Sequence, residues 1–255
     1  MLHVQNLPLT EQAVVLAQNA VDDRSEAAAP EGGGFAGYAI VSLHCPRVCL
    51  EKSYPEALDL LSGMPQILGE IGRIGADLPD HSTLVKAFDR LRMAIWRVLL
   101  RREAQQHEPS GHAAIDSTFF DRENASRHYC RRTNYRVQTL KATALVDTAS
   151  QAVLDVHCTT RKRHDTRIGA QVALRNAGDL RSLAADKGYD WRRLRERLRD
   201  EGVRPLIKHR LFRTVDHAHN ARIDSTRYGQ RAMCETVFST IKCTLGCVVC
   251  ARTWS

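Results

Sequence analysis

Beyond Pro109 the spacing of apolar residues switches from helical to strand-like, and the order of strands and helices from there to the C-terminus restricts the fold more than any other feature of this chain. Ala113-Ala114-Ile115-Asp116 reads as a short strand ending on a carboxylate. Two β-rich runs, residues 140–146 and 152–158, flank the turn-forming Asp147-Thr148-Ala149-Ser150 and predict a hairpin. Then come a helix over 165–176, a strand over 182–186, a helix over 191–200, a short strand over 204–208 and a final helix from about 226 to 245. Three strands followed by alternating helices and strands describe an α/β fold, a mixed sheet with helices on its faces.

The preceding region reads as helices. An apolar stretch over 11–21 leads into the Ala-, Pro- and Gly-rich segment Ala27-Ala28-Ala29-Pro30-Glu31-Gly32-Gly33-Gly34, so residues 1–37 are expected to be an N-terminal segment and linker. A stretch over 43–61, a break at Gly63-Met64-Pro65, a short helix to Ile71 and a helix over 84–102 capped from His81-Ser82-Thr83 follow. Residues 38–109 are therefore expected to form a small all-α domain compatible with a helix-turn-helix DNA reader, and residues 110–255 the α/β domain.

The 255 residues carry 37 Lys plus Arg against 29 Asp plus Glu, and the excess is local. Residues 1–110 hold 10 basic and 14 acidic residues, a balance of −4, whereas 111–255 hold 27 and 15, a balance of +12. Twenty-two of those 27 are Arg, whose planar guanidinium binds phosphate oxygens in pairs, so nucleic acid is the first candidate partner and a solvated basic helix surface the alternative. No apolar run approaches the roughly 20 residues that cross a bilayer, and the start lacks a signal-peptide pattern, so a cytoplasmic protein with no membrane partner is expected. Eight scattered cysteines suit reduced thiols better than a disulfide framework.

Chemistry concentrates at three carboxylates. Asp116 and Asp186 each close an expected strand, and carboxylates at the ends of adjacent strands project to one rim of a sheet, where a hard divalent cation wants oxygen ligands. On the final helix Tyr228, Arg231, Glu235 and Lys242 fall within roughly 60° of one another at 100° per residue, beside an apolar face of Cys234, Val237, Phe238, Ile241 and Leu245. By helix pattern alone, an ordinary amphipathic surface helix with an Arg231–Glu235 pair is the better explanation of that stripe. Asp147 and Asp155 read as turn or edge residues, and Asp216-His217-Ala218-His219 as a polar loop. Cys243, Cys247 and Cys250, with Cys234, have the makings of a soft zinc site, but Cys243 lies on the helix and its neighbours fit helical spacing better.

Taken together these residues resemble the DDE transposases of prokaryotic insertion sequences, in particular insertion-sequence families four and five. Tyr228, Arg231, Glu235 and Lys242 match Tyr-x2-Arg-x3-Glu-x6-Lys in full. The likeness continues upstream through Ile115-Asp116-Ser117-Thr118, Leu183-Ala184-Ala185-Asp186-Lys187-Gly188-Tyr189, Pro205-Leu206-Ile207-Lys208 and Asp216-His217-Ala218-His219-Asn220, spanning residues 53–254. The resemblance implies a ribonuclease H-like catalytic domain in which Asp116, Asp186 and Glu235 are the catalytic, metal-binding triad. It implies two Mg2+ ions, replaceable by Mn2+, with Arg231 and Lys242 neutralising DNA phosphates and Tyr228 positioning the strand. It implies double-stranded DNA partners, the transposon terminal repeats and the target, and a homo-oligomer when two ends are bound. The activity implied is cleavage at transposon ends and strand transfer; a non-catalytic DNA-binding remnant and a simple metal-dependent nuclease are the alternatives. Relatives continue past the Ala-Arg-Thr-Trp match at 251–254 into a further helix, so a C-terminally truncated copy is expected.

Overall fold

A computed structural model describes residues 2–21, 36–73, 78–122, 127–134, 136, 138–161 and 164–249. It divides into two compact units, residues 1–103 and 104–255.

The first unit is helical: α1 (Leu2–Val21), α2 (Gly37–Cys49), α3 (Tyr54–Ser62), α4 (Pro65–Glu70), α5 (His81–Arg90) and most of α6 (Met93–Gln106). Val14 and Ala17 of α1 join Leu43, Leu61, Leu68, Ile71 and Leu84 in one apolar core. Two runs expected to be continuous are interrupted. The stretch 43–61 splits because Ser53 and Glu56 build a reciprocal cap, with the Ser53 N–H and Oγ–H donating to Glu56 Oε2 at 3.1 and 2.7 Å, and Pro55 occupies the new first turn. The stretch 84–102 splits at Leu91, whose backbone is extended (φ −69°, ψ 118°). Asp80, one residue before the expected capping triplet, caps α5 by accepting from Ser82 N–H at 2.8 Å.

The second unit runs β1 (His112–Asp121), α7 (Arg127–Thr133), β2 (Thr139–Asp147), β3 (Val153–Thr159), α8 (Asp165–Arg175), β4 (Ser182–Ala185), α9 (Arg192–Asp200), β5 (Arg204–Ile207), α10 (Thr214–Ala221), α11 (Ser225–Gly229) and α12 (Ala232–Leu245). The five strands lie in the order β3-β2-β1-β4-β5. β1, β2 and β3 pair antiparallel, while β4 and β5 add parallel to β1. This is the mixed sheet of a ribonuclease H-like fold. β2 is buried along almost its whole length, Lys141 and Thr143 included, since it has a neighbouring strand on either side.

Strand alternation sorts the side chains into two layers. Ala113, Ile115, Leu145, Leu183 and Ile207 face α8 and α9, meeting Ile168, Val172, Leu194 and Leu198. Ala114, Ala144, Val146, Ala184 and Leu206 face the other way, onto Cys234, Val237 and Phe238 of α12. Three expectations change. β1 has ten residues, so Asp116 lies mid-strand and not at a strand end. The final helix is two helices, broken at Gln230 and Arg231, and Asp224 caps the first by accepting from Arg227 N–H at 3.0 Å. The expected polar loop at 216–219 is helical, within α10, and α7 had no counterpart among the expected elements. No described helix is long and apolar enough to cross a membrane.

Candidate active site

Pairing between β1 and β4 brings the two aspartates together. The last matched pair is Ile115 with Ala185; one residue further stand Asp116 and Asp186, leaving neighbouring parallel strands about 5 Å apart in the backbone. They share the parity of Ala114 and Ala184, and so belong to the face covered by α12. Asp116 stays within the sheet, half-buried, because β2 still pairs with β1 there through Ala144. Asp186 lies past the end of β4 and is exposed.

Glu235 enters from α12. Cys234, fully buried, fixes the rotation of the helix on the sheet, with Val237 and Phe238 one turn on. That leaves Glu235 exposed beside the site, paired with Arg231 Nη1 at 3.3 Å. The interaction is visible in the acidity of Asp116, which burial pushes above the ordinary carboxylate range; the Ser117 N–H, donating to Oδ1 at 2.8 Å, pulls the other way, and Asp186, Glu235 and Asp165 push it up further. The Cys234 thiol is likewise raised, by burial and then by the charges of Asp116 and Glu235.

The remaining residues of the motif surround this centre but do not form one stripe. Tyr228 belongs to α11, buried, with Lys208 Nζ 4.3 Å and Arg231 Cζ 5.6 Å from its ring centroid. Burial raises its phenol; Arg231 lowers it and Asp186 raises it, so it remains a hydrogen-bond donor at neutral pH. Lys242 leans along α12 onto β1, where its ammonium donates to Thr118 Oγ1 at 2.7 Å and sits 5.2 Å from the Phe120 ring centroid. Leu245, expected on the apolar face, is largely exposed. Behind the sheet, Tyr189 donates to or accepts from Ser117 Oγ at 2.9 Å, next to Asp116. Gly169 makes room for that ring, since a Cβ there would collide with Tyr189 Cε1. Neither Tyr189, Ser117 nor Lys208 was singled out from the sequence as a support of the site; only their place within the quoted motifs marked them.

Among the described residues no three His, Cys, Asp or Glu side chains are gathered closely enough to hold a metal ion as they stand. The donor set nonetheless suits a hard cation. All three groups offer carboxylate oxygen, and Asp116 meets Asp186 and Glu235 as like charges. Soft ligands do not compete: Cys234 is buried, Cys243 and Cys247 are exposed free thiols, and Cys250 lies outside the described residues. The two other acidic candidates have structural partners. Asp147 accepts from Ser110, Ala149 and Ser150 and closes the hairpin turn; Asp155 is buried against Arg175 and Asn176 and ties β3 to α8.

No curated protein gives a significant match to the chain. A family model, the transposase DDE domain, matches residues 107–248, which takes in the whole sheet, α12 and all three carboxylates. With that match over more than half its length and the ribonuclease H-like sheet beneath it, the chain belongs to the DDE transposase domain family.

Proposed function

We propose that this protein is a DNA transposase of the insertion-sequence type, grouped with families four and five, which cleaves transposon ends and joins them to target DNA. The observation that carries this reading is the adjacency of Asp116 and Asp186 on parallel neighbours of one sheet, on the face crossed by the helix that bears Glu235.

Asp116, Asp186 and Glu235 would hold Mg2+, with Mn2+ able to replace it, and the expected number is two ions. When bound, the metal supplies Lewis-acid stabilisation of the charge that builds on the phosphodiester as attacking and leaving oxygens exchange. The protein's own groups do the rest. Glu235 has to leave Arg231 to complete the triad, which frees the guanidinium for a DNA phosphate. Lys242, steadied by Thr118, offers a second cation, and the Tyr228 hydroxyl a donor that orients the strand. The helical segment 38–109 is assigned to recognition of the terminal repeats, the catalytic domain to 110–255, and a cytoplasmic homo-oligomer to the complex that pairs two ends.

Duplexes carrying the inverted repeats that bracket the coding region test this. Incubated with the protein, Mg2+ and a circular target, they should yield both cut ends and covalently joined products. Cut ends without joined products would instead identify a simple nuclease, and specific end binding without any cutting a DNA-binding remnant.

A further inference from the structure

The segment leaving β5 is built unlike an ordinary surface loop. Its backbone is clamped from two sides. The Arg210 N–H donates to Asp190 Oδ2 at 2.8 Å, and Arg210 Nε to the Lys187 carbonyl at 3.3 Å, which ties it to the turn just after Asp186. From α10, Asp216 Oδ2 accepts from the Phe212 and Arg213 N–H groups at 3.0 and 2.8 Å, and Oδ1 meets His209 Nδ1 at 2.9 Å. Asn220 takes the His209 N–H at 2.7 Å and donates to the His209 carbonyl at 3.1 Å, while His209 and His219 stack with centroids 3.7 Å apart. These bonds account for Asp216, His219 and Asn220, the upstream motif to which the site gives no other role.

What this scaffold displays is an apolar tip among cations. Phe212 is 82% exposed, with Leu211 at 49% and Val215 at 67%. A fixed backbone holding a phenyl ring in water forgoes the burial that a looser loop would give it, as expected of a surface kept for a partner. Lys208, Arg210 and Arg213 lie along the same segment, and among the described residues none has a carboxylate within ion-pair distance. Lys208 begins the segment over the Tyr228 ring, beside the catalytic face.

We propose that residues 208–213 form a rigid DNA-contacting finger, in which Lys208, Arg210 and Arg213 bind phosphates beside the scissile bond and Phe212 packs against the sugar or base surface of the same duplex. The occupant is DNA because three cations without a carboxylate partner on a six-residue arm suit a polyanion, and the arm departs from the strand next to the one that delivers Asp186. The finger rests on the DNA-cleaving reading of this unit.

Binding of the full chain to a fluorescein-labelled duplex of arbitrary sequence, about 30 base pairs long, read by anisotropy across a salt series, tests it. The variant Lys208→Ala/Arg210→Ala/Arg213→Ala should lower the slope of log affinity against log salt by about 2 to 3, near 0.9 per phosphate lost, and weaken binding at least about tenfold near 0.1 M salt. Replacing the exposed Arg193, Arg197 and Arg199 of α9 by Ala should change the slope by less than about 1. Phe212→Ser should weaken binding several-fold at every salt concentration with no change of slope, and Phe212→Trp should restore it. An unchanged slope in the finger variant, or equal losses in both triple variants, overturns the finger. So does a change in sedimentation of Phe212→Ser with DNA affinity intact, which would give the tip to a second copy of the chain. Cleavage separates the two levels: finger variants that bind and cut like the parent, alongside an inactive Glu235→Gln, sink the finger alone, whereas a parent chain that neither binds nor cuts DNA sinks the reading beneath it as well.

Discussion

Opposing influences meet at Asp116, where burial and three neighbouring carboxylates, Asp186, Glu235 and Asp165, favour the neutral acid and only the Ser117 N–H favours the anion. Groups held in such company serve chemistry at the expense of stability. Asp116→Asn should therefore leave the urea midpoint at neutral pH equal to or above that of the parent, even though it removes activity; a clear loss of stability would mean that Asp116 is a structural acceptor. His44, in the first unit, gives a pH signature of its own. Burial first and Arg47 second lower its pKa to about 4, and Nε2 is buried without a partner. The folded state thus binds its proton less readily than the unfolded chain. The contribution is fully present above the unfolded pKa near 6.5 and is lost as pH falls towards 4, a change on the order of 3 kcal/mol at most. His44→Leu should flatten the stability profile between pH 6.5 and 4 in denaturation followed by tryptophan fluorescence. The candidate residues could be picked out from the sequence because their spacing carries the resemblance. Their surroundings could not. The Arg231–Glu235 pair follows from i,i+4 spacing, but that Tyr228 would be buried beneath Lys208 depends on a helix break that a 3.6-residue period passes over without a mark.

Elements set the precision of the site through close approaches between α8, the turn after β4, and β1. Gly169 of α8 touches Tyr189, which touches Ser117, which adjoins Asp116. Gly169→Ala would force the ring aside and should cost about 1 to 3 kcal/mol by overpacking. It should also lower DNA cleavage under conditions where the protein is still folded, measured as kcat at a temperature well below the transition. The β2–β3 turn rests on Asp147. Burial works against its charge, but bonds from Ser150, Ser110 and Ala149 prevail and hold its carboxyl below the usual range. That stability is present above the ordinary Asp pKa and fades as pH falls below it, so Asp147→Ala should lose stability at pH 7 and less at pH 3, compared in chemical denaturation. The succession of strands and helices and the β2–β3 hairpin were legible because a parallel crossover needs an intervening helix and a hairpin needs only a turn. Strand length was not: pairing with β2 carries β1 five residues past Asp116, through Ser117-Thr118-Phe119-Phe120-Asp121, which lacks the period-two alternation of a strand. The division of residues 43–61 was written in Ser53, Pro55 and Glu56, a capping signature outweighed by the apolar run on either side.

For the molecule as a whole, charge is divided, +12 over residues 111–255 and −4 over residues 1–110. On the proposed function, the positive excess of residues 111–255 would draw DNA at long range while the three carboxylates take cations. Affinity for arbitrary duplex should accordingly fall by about 10³ or more between 50 and 200 mM salt. The central claim is that Asp116, Asp186 and Glu235 act as one unit on DNA. Single-turnover cleavage of a terminal-repeat duplex in Mg2+ by the parent, by Asp116→Asn, Asp186→Asn and Glu235→Gln, and by the triple variant measures this most directly. Each single change should reduce the rate at least about 10³-fold, with the triple variant little worse than any one, because groups that act together are lost together. Cleavage within a few-fold of the parent in any of the single variants would contradict the claim.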